Sequence, residues 1–520
     1  MKITAKQNTQ EYAGSKVEFD GWFNEAIWGH RLERQPASAL LLEFLSMAEA
    51  MHRNGKLLNP TQPIDDCRYK ANLSIHLRSL LFNNPRMEQI RDEYQGSDDE
   101  AWAVWLTDMK KRAAVGDVFT ADFSYLRKRF HAFRDLVSSV SLLSRIAMDA
   151  GSGRKWTWQL LFPIGPAALY EPCNDSTLAR DRGLFTRTGE LAYLMLSRAS
   201  DPLRHALEKK LQPFFDTKTV RNKLLLSLLP GDEPERGSEK GGTYLPYKSH
   251  PAYDRLAQDV LSLLSIGLPD QDVFEHLKPI IAFNLYIYSI ETANHWLGKE
   301  QSPVCACEIP GTKMDLARRA SIATKDENEG LGLQAVRQLV EQALISNPTL
   351  TAKLASPELN DAMKAEMLAE HMSEMCSIKV DKIKAAHPDE VRRNVISWAE
   401  SGFRDGVMGA IQGLGQAAGF TDKRGTNKVR YAPTDKLLRA LVLANVTYQI
   451  EEEELLRKLN QRYHLVIGPR EAVSELPDWF HDEGDFKKNR ERFSRRLTGL
   501  GLAQRMSDAC TYVRNPYFRQ

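Results

Sequence analysis

The chain has 520 residues, 42 % of them apolar and 27 % charged, and 70 Lys and Arg against 68 Asp and Glu leave a net charge of +2. That balance excludes a uniformly basic nucleic-acid coat and an acidic tail protein; with a mean hydropathy of −0.43 it also excludes a largely disordered or membrane-spanning chain. At about 150 residues per domain, the length accommodates roughly three domains.

The opening stretch, MKITAKQNTQEYAGSK, has neither an apolar core nor a small-residue cleavage site, so it is not read as a secretory signal. Most of the remaining chain has helical periodicity. In 38–51, Leu40, Leu41, Phe44, Met47 and Met51 fall on one face. A second stripe, Phe123, Leu126, Phe130, Phe133 and Leu136, predicts a helix over 119–149. Segments 189–200, 218–229, 252–267, 277–298, 331–345, 360–375 and 389–412 also read as helices. The most apolar run, Pro279–Tyr288, is half the length a membrane span requires and is expected to be a buried core helix. Strands are predicted at Trp156–Phe162, Val304–Ile309 and around Tyr512–Val513. Pro230–Pro246 reads as an exposed loop, and the basic stretch Phe420–Pro433 as a linker at a domain boundary. The six cysteines, Cys67, Cys173, Cys305, Cys307, Cys376 and Cys510, are too sparse for a disulfide framework and suit a reducing cytoplasm.

These features predict a mainly α, multidomain protein: an N-terminal helical domain (1–150), a helical domain with an aromatic-basic hairpin (151–300), a helical domain with a short strand (301–420) and a C-terminal domain (434–520). The last is the best defined. Thr434 and Asp435 cap a first helix lined by Leu437, Leu438, Leu441 and Val442. Four carboxylates, Glu451–Glu454, sit at the positive end of a second helix reaching Tyr463. A third helix, about Asp485–Leu500, carries Phe486, Phe493, Leu497 and Leu500, and two short strands around Ser507–Asp508 follow. Three helices and a two-stranded wing, with RRLTGLGLAQRMSDACTYV at the junction, resemble a winged helix, a helix-turn-helix variant.

Over 485–505, seven basic residues face only Asp485 and Glu491, a local net charge of +5 in a nearly neutral chain. Lys487, Lys488, Arg490, Arg492, Arg495 and Arg496 lie on the third helix, with Lys488, Arg492 and Arg495 at i, i+4 and i+7 opposite the apolar stripe. Such a face suits duplex phosphates. Lys423 and Arg424 in the preceding linker add to it, and Arg154, Lys155 and Trp156 place cations beside an indole, as single-stranded nucleic-acid sites do. The bland readings of the two segments are a solvated face on a helix that only packs against another domain for the first, and core-filling tryptophans with a structural ion-pair network for the second.

Other motifs carry less. Gly413, Gly415 and Ala418 match a dinucleotide fingerprint, but without the strand it needs before it; Gly402, Gly406, Gly409 and Gly413 instead suggest close helix packing or a flexible helix end. The single Cys305-x-Cys307 pair lacks zinc-site spacing. Glu308 and Lys313 have four residues between them, where a metal-dependent nuclease would have the closer Glu-x-Lys spacing. No cofactor or metal is expected.

The runs GWFNEAIWGHRL (21–32) and RDRGLFTRTGELAYLMLSR (180–198) resemble uncharacterised proteins of bacterial anti-phage defence islands, such as DNA-modification-linked restriction systems. That resemblance implies a component of a defence complex and carries no functional residue. The combined expectation is a cytoplasmic, non-enzymatic subunit that contacts double-stranded DNA through its C-terminal helix and other protein subunits through its helical body. A metal-dependent nuclease within 148–320 and a protein-docking scaffold are the alternatives.

Overall fold

The computed structural model describes residues 27–28, 32–61, 69–70, 75–115, 119–146, 188–231, 239–240, 245–247, 249–311, 315–345, 347–376, 378–423, 428–480, 483–506 and 510–518. They are mainly helical, and among them no helix is long and apolar enough to cross a membrane. The chain divides into two compact units, one of Met1–Ala37, Leu194–Arg204 and Thr243–Gln520, the other of Ser38–Tyr193 and His205–Gly242.

The second unit contains α1 (Ala37–Arg53), α2 (Ile75–Phe82), α3 (Met87–Glu93), α4 (Asp98–Arg112), α5 (Tyr125–Arg129), α6 (Phe133–Ile146) and α9 (Val220–Ser227); α7 (Thr188–Ser197) and α8 (Asp201–Phe215) contribute residues to both units. Strands β1 (Tyr69–Lys70) and β4 (Glu239–Lys240) pair antiparallel, as do β2 (Ala114–Val115) and β3 (Phe119–Thr120). The expected stripe of α1 is buried, but so are Leu42, Glu43 and Leu45, and the helix is enclosed on all sides. The Glu43 carboxylate accepts from Gly189 N at 2.8 Å, and at Gly189 a β-carbon would run into the Leu40 carbonyl. The single helix expected over 119–149 is instead α5 and α6, broken at Phe130–Ala132. The break lets Phe123 and Phe133 meet Trp105 from different directions, at 5.9 and 5.7 Å between ring centroids.

The first unit is organised around α11 (Asp270–Trp296). Every residue from Ile280 to Tyr288 is fully buried, as the apolar run predicts. Against it pack α10 (Pro251–Leu264), α12 (Leu316–Ile345), α16 (Gly409–Ala417) and α17 (Asp435–Asn445). Helices α13 (Pro348–Ala355), α14 (Asp361–Cys376) and α15 (Pro388–Phe403) follow α12, and a π-helical turn, Arg404–Met408, joins α15 to α16.

The stretch expected to be a linker is buried at both ends. Phe420 stacks on Tyr431 at 4.6 Å, and Tyr431 OH lies 2.9 Å from Tyr286 OH on α11. Gly419, at φ +70°, turns the chain from α16 into β6 (Thr421–Asp422), which pairs antiparallel with β7 (Arg430–Tyr431). The positive charge of Arg430 does not mark solvent exposure: its guanidinium is fully buried on Glu308.

Beyond α17 come β8 (Gln449–Glu451), α18 (Glu452–Tyr463), β9 (Leu465–Val466), α19 (Pro469–Glu475), α20 (Glu483–Gly499), β10 (Ala503–Arg505) and β11 (Thr511–Arg514). Thr434 caps α17 as expected. The last strands form one antiparallel sheet in the order β10-β11-β8. Strand β9 pairs instead with β5 (Cys305–Ala306), in parallel.

A polar network fastens the end of α18 to α10 and α11. Arg255 grips Glu291 with two bonds, at 2.6 and 2.8 Å, and His464 Nε2 donates to the same carboxylate at 2.9 Å. Burial raises the Glu291 pKa, but the Arg255 charge and these bonds outweigh it and hold it at about 2. His250 caps α10, its Nδ1 accepting from Ala252 N at 3.1 Å, and desolvation pulls its pKa down to about 4. An unfolded chain therefore takes up the His250 proton near 6.5 and the folded one only near 4, so stability falls as pH drops through that window. His276, lowered by burial and then by Arg439, adds in the same direction, and Glu291 extends the loss from its ordinary 4.5 towards 2. Urea midpoints should fall from pH 6.5 to 4, with His250 contributing up to about 3 kcal/mol. His250→Ser keeps a capping oxygen and should flatten the slope; an unchanged slope would place the acid sensitivity elsewhere.

Candidate nucleic-acid interface

Helix α20 buries Phe486, Asn489, Phe493 and Leu497, and this stripe sets where its cations point. The amide of Asn489, fully buried, donates to Cys307 O and Ile467 O, both at 2.9 Å, and accepts from Ile309 N at 2.8 Å. The helix is thereby locked onto the strand that the sequence predicts at Val304–Ile309.

The basic residues divide into two sets. Arg492 turns inward, pairing with Asp315 and donating to Ile309 O at 3.1 Å. Gly311 makes room for it, because a β-carbon there would stand 2.8 Å from the guanidinium carbon. Arg496 pairs with Asp435 at the start of α17. Arg490, which the sequence also places on the third helix, holds Glu452 at 2.9 Å and Glu453 at 2.8 Å. Burial lowers its pKa, but hydrogen bonds to those carboxylates outweigh it and raise it. The acids at the start of α18 thus answer the basic helix as well as their own helix dipole.

The second set faces water. Lys487, Lys488 and Arg495 are exposed on α20, and Arg505 is exposed on β10. Among the described residues Lys488 has one partner, Asp485, at 3.3 Å. Asp485 is itself committed, accepting from Leu316 N at 3.0 Å at the start of α12; that bond first, and Lys488 after it, lower its pKa. The expected row Lys488, Arg492 and Arg495 is therefore interrupted in the middle. The continuous outward set is Lys487, Lys488 and Arg495, with Glu491 among them. Lys423 is exposed at the end of β6; Arg424, Arg154, Lys155 and Trp156 lie outside the described residues.

Glu308, the carboxylate a nuclease would need, is fully buried between Arg318, 2.8 Å away, and Arg430. Its oxygens are thus taken by guanidiniums, and Lys313 lies outside the described residues. Cys305 and Cys307 are buried free thiols whose pKa values burial pushes up, which keeps them protonated. Among the described residues no group of three or more His, Cys, Asp or Glu is arranged to hold a metal ion. Gly413 and Gly415 are packing positions on α16: a β-carbon would meet Arg34 at the first and Thr421 and Tyr286 at the second.

No family model, curated protein or solved structure matches the chain.

Proposed function

We propose that residues 434–520 act as a winged-helix module and that the protein is a non-enzymatic, cytoplasmic DNA-binding or adaptor subunit of a bacterial multi-protein assembly of the anti-phage type. The order α17-β8-α18-α20-β10-β11, with β9 and α19 inserted between α18 and α20 and the sheet ordered β10-β11-β8, supports the winged-helix reading. One observation carries the DNA reading: Lys487, Lys488 and Arg495 remain solvent-facing on α20 after three of its arginines are consumed by internal acids. In this reading Arg490, Arg492 and Arg496 set the pose of the helix, and the outward three meet phosphates.

The test is fluorescence anisotropy on duplex DNA across a salt series. Lys487→Ala, Lys488→Ala and Arg495→Ala together should weaken binding on every sequence and reduce the log–log salt slope by roughly 3. Unchanged affinity and slope reject this helix face as the contact. A second reading, protein docking, is favoured by Trp479, 74 % exposed in the turn before α20. An indole in water beside the module suits a partner's apolar pocket. Capture of complex partners that survives the triple substitution but fails in Trp479→Ala would select the adaptor role.

A further inference from the structure

A cavity of about 420 Å³ opens in the first unit where the start of α10, the end of α11 and the end of α18 converge. That volume suits a small molecule of mononucleotide size. Six side chains decide its chemistry: His250, Arg255, Glu291, Lys299, Arg462 and His464.

The carboxylates here are already spent. Glu291 receives Arg255 on both oxygens and His464 on one. Asp259, fully buried behind the wall, accepts from Arg462 at 2.6 Å, Tyr463 OH at 2.7 Å and Asn284 at 2.8 Å. Only Glu300, exposed at the rim, retains a carboxylate without a partner among the described residues.

Donors are not spent. Among the described residues, of the five N–H groups of each guanidinium, those of Arg255 go to Asn284, Glu291 twice and Arg462 O, which leaves one. Those of Arg462 go to Asn445, Asp259 and Arg255 O, which leaves two. Lys299 is exposed at the cavity and has no ion pair among the described residues. His250 accepts on Nδ1 from Ala252 N, so its neutral ring carries the proton on Nε2 as a further donor. Two arginines, an ammonium and an imidazole N–H therefore line one cavity with hydrogens left to give.

His464 adds an independent observation. It ends α18 at φ 61°, a left-handed conformation that Gly or Asn ordinarily supplies. A residue with a β-carbon costs about 1 kcal/mol there, and here the position delivers an imidazole to the cavity wall and the Glu291 carboxylate. Backbone outliers of this kind gather at ligand sites.

We propose that this cavity binds the phosphate group of a small phosphorylated molecule, with Arg255, Arg462, Lys299 and His250 as its donors. Three terminal oxygens match a donor set approaching from several elements, and Arg suits phosphate by its planar fork. The buried ion pairs keep the two guanidiniums fixed before the ligand arrives, which limits the entropy lost on binding.

Calorimetric titration of the full chain with AMP, inorganic phosphate and succinate tests this. AMP should bind saturably with one site per chain, phosphate should compete with it, and succinate should not. In the variant His250→Ser with Lys299→Ala, AMP affinity should fall about tenfold or more. Both changes spare the buried ion pairs, and Lys299→Ala alone, a surface change, gives a second reading if the pair alters folding. Phosphate binding without AMP binding upholds the site and makes inorganic phosphate its ligand. Absence of binding by both, displacement by succinate as effective as by phosphate, or full affinity in the variants overturns the assignment. A lost DNA shift in the α20 triple variant with AMP binding intact would separate this site from the nucleic-acid reading.

Discussion

Glu308→Ala is expected to destabilise the protein by about 3–5 kcal/mol. The carboxylate and Arg430 are both fully buried, and Arg318 is nearly so. Removing the acid takes from two buried guanidiniums the carboxylate they share, at a cost set by desolvation rather than by the lost bonds. Urea unfolding followed by circular dichroism measures it. Arg430→Met should cost a similar amount, because it strands part of the Glu308 charge. Replacing all three by Met and Leu side chains should recover much of the loss, since well-packed apolar residues can match a buried ionic cluster. A loss under about 1 kcal/mol for Glu308→Ala would mean that water reaches the cluster.

The second large effect is expected at Asn489. One side chain there satisfies two backbone carbonyls and one backbone amide from two separate segments. Asn489→Ala strands all three, at about 1 kcal/mol or more each, so a loss of about 3 kcal/mol or more is expected. Hydrogen exchange gives the sharper test. The Ile309 amide should lose protection well before the core amides of α11, because its acceptor is gone while that helix is untouched. Equal protection of Ile309 in variant and parent would show that another group accepts its hydrogen.

Local signals located α17, α18, α20 and the last two strands to within a few residues, but not β8, β9 and α19. The Thr434 cap, the glutamates opening α18 and the stripe Phe486, Phe493 and Leu497 all act within one helix, so neighbouring residues suffice to read them. The first half of α12 escaped for the opposite reason. Its buried face carries Arg318, Ser321, Thr324, Lys325 and Asn328, which look like surface until their partners are known. Asn328, for example, donates to Tyr431 OH and Val304 O, 103 and 24 positions away.

The same limit applies to the basic helix. Its charge count is local, but the acids that neutralise Arg492 and Arg496 stand 177 and 61 positions away. The cavity was invisible for a related reason. His250, Glu291 and His464 are single, unremarkable residues until α10, α11 and α18 converge, and no spacing rule joins a carboxylate to an imidazole 173 positions later.

The parallel pairing of β5 with β9, and the bond from Ile309 to Asn489 across 180 positions, bear on how the chain is made. On a ribosome, the segment around Cys305–Ile309 meets α12 soon after it emerges, but β9 and Asn489, which complete its pairing, come much later. Groups such as the Ile309 amide then wait through the synthesis of α12 to α19. A long interval between a strand and its mate slows folding and prolongs exposure to wrong partners. Translational pauses or chaperone occupancy between residues 310 and 465 should therefore govern the yield of native protein more than events in the first 250 residues.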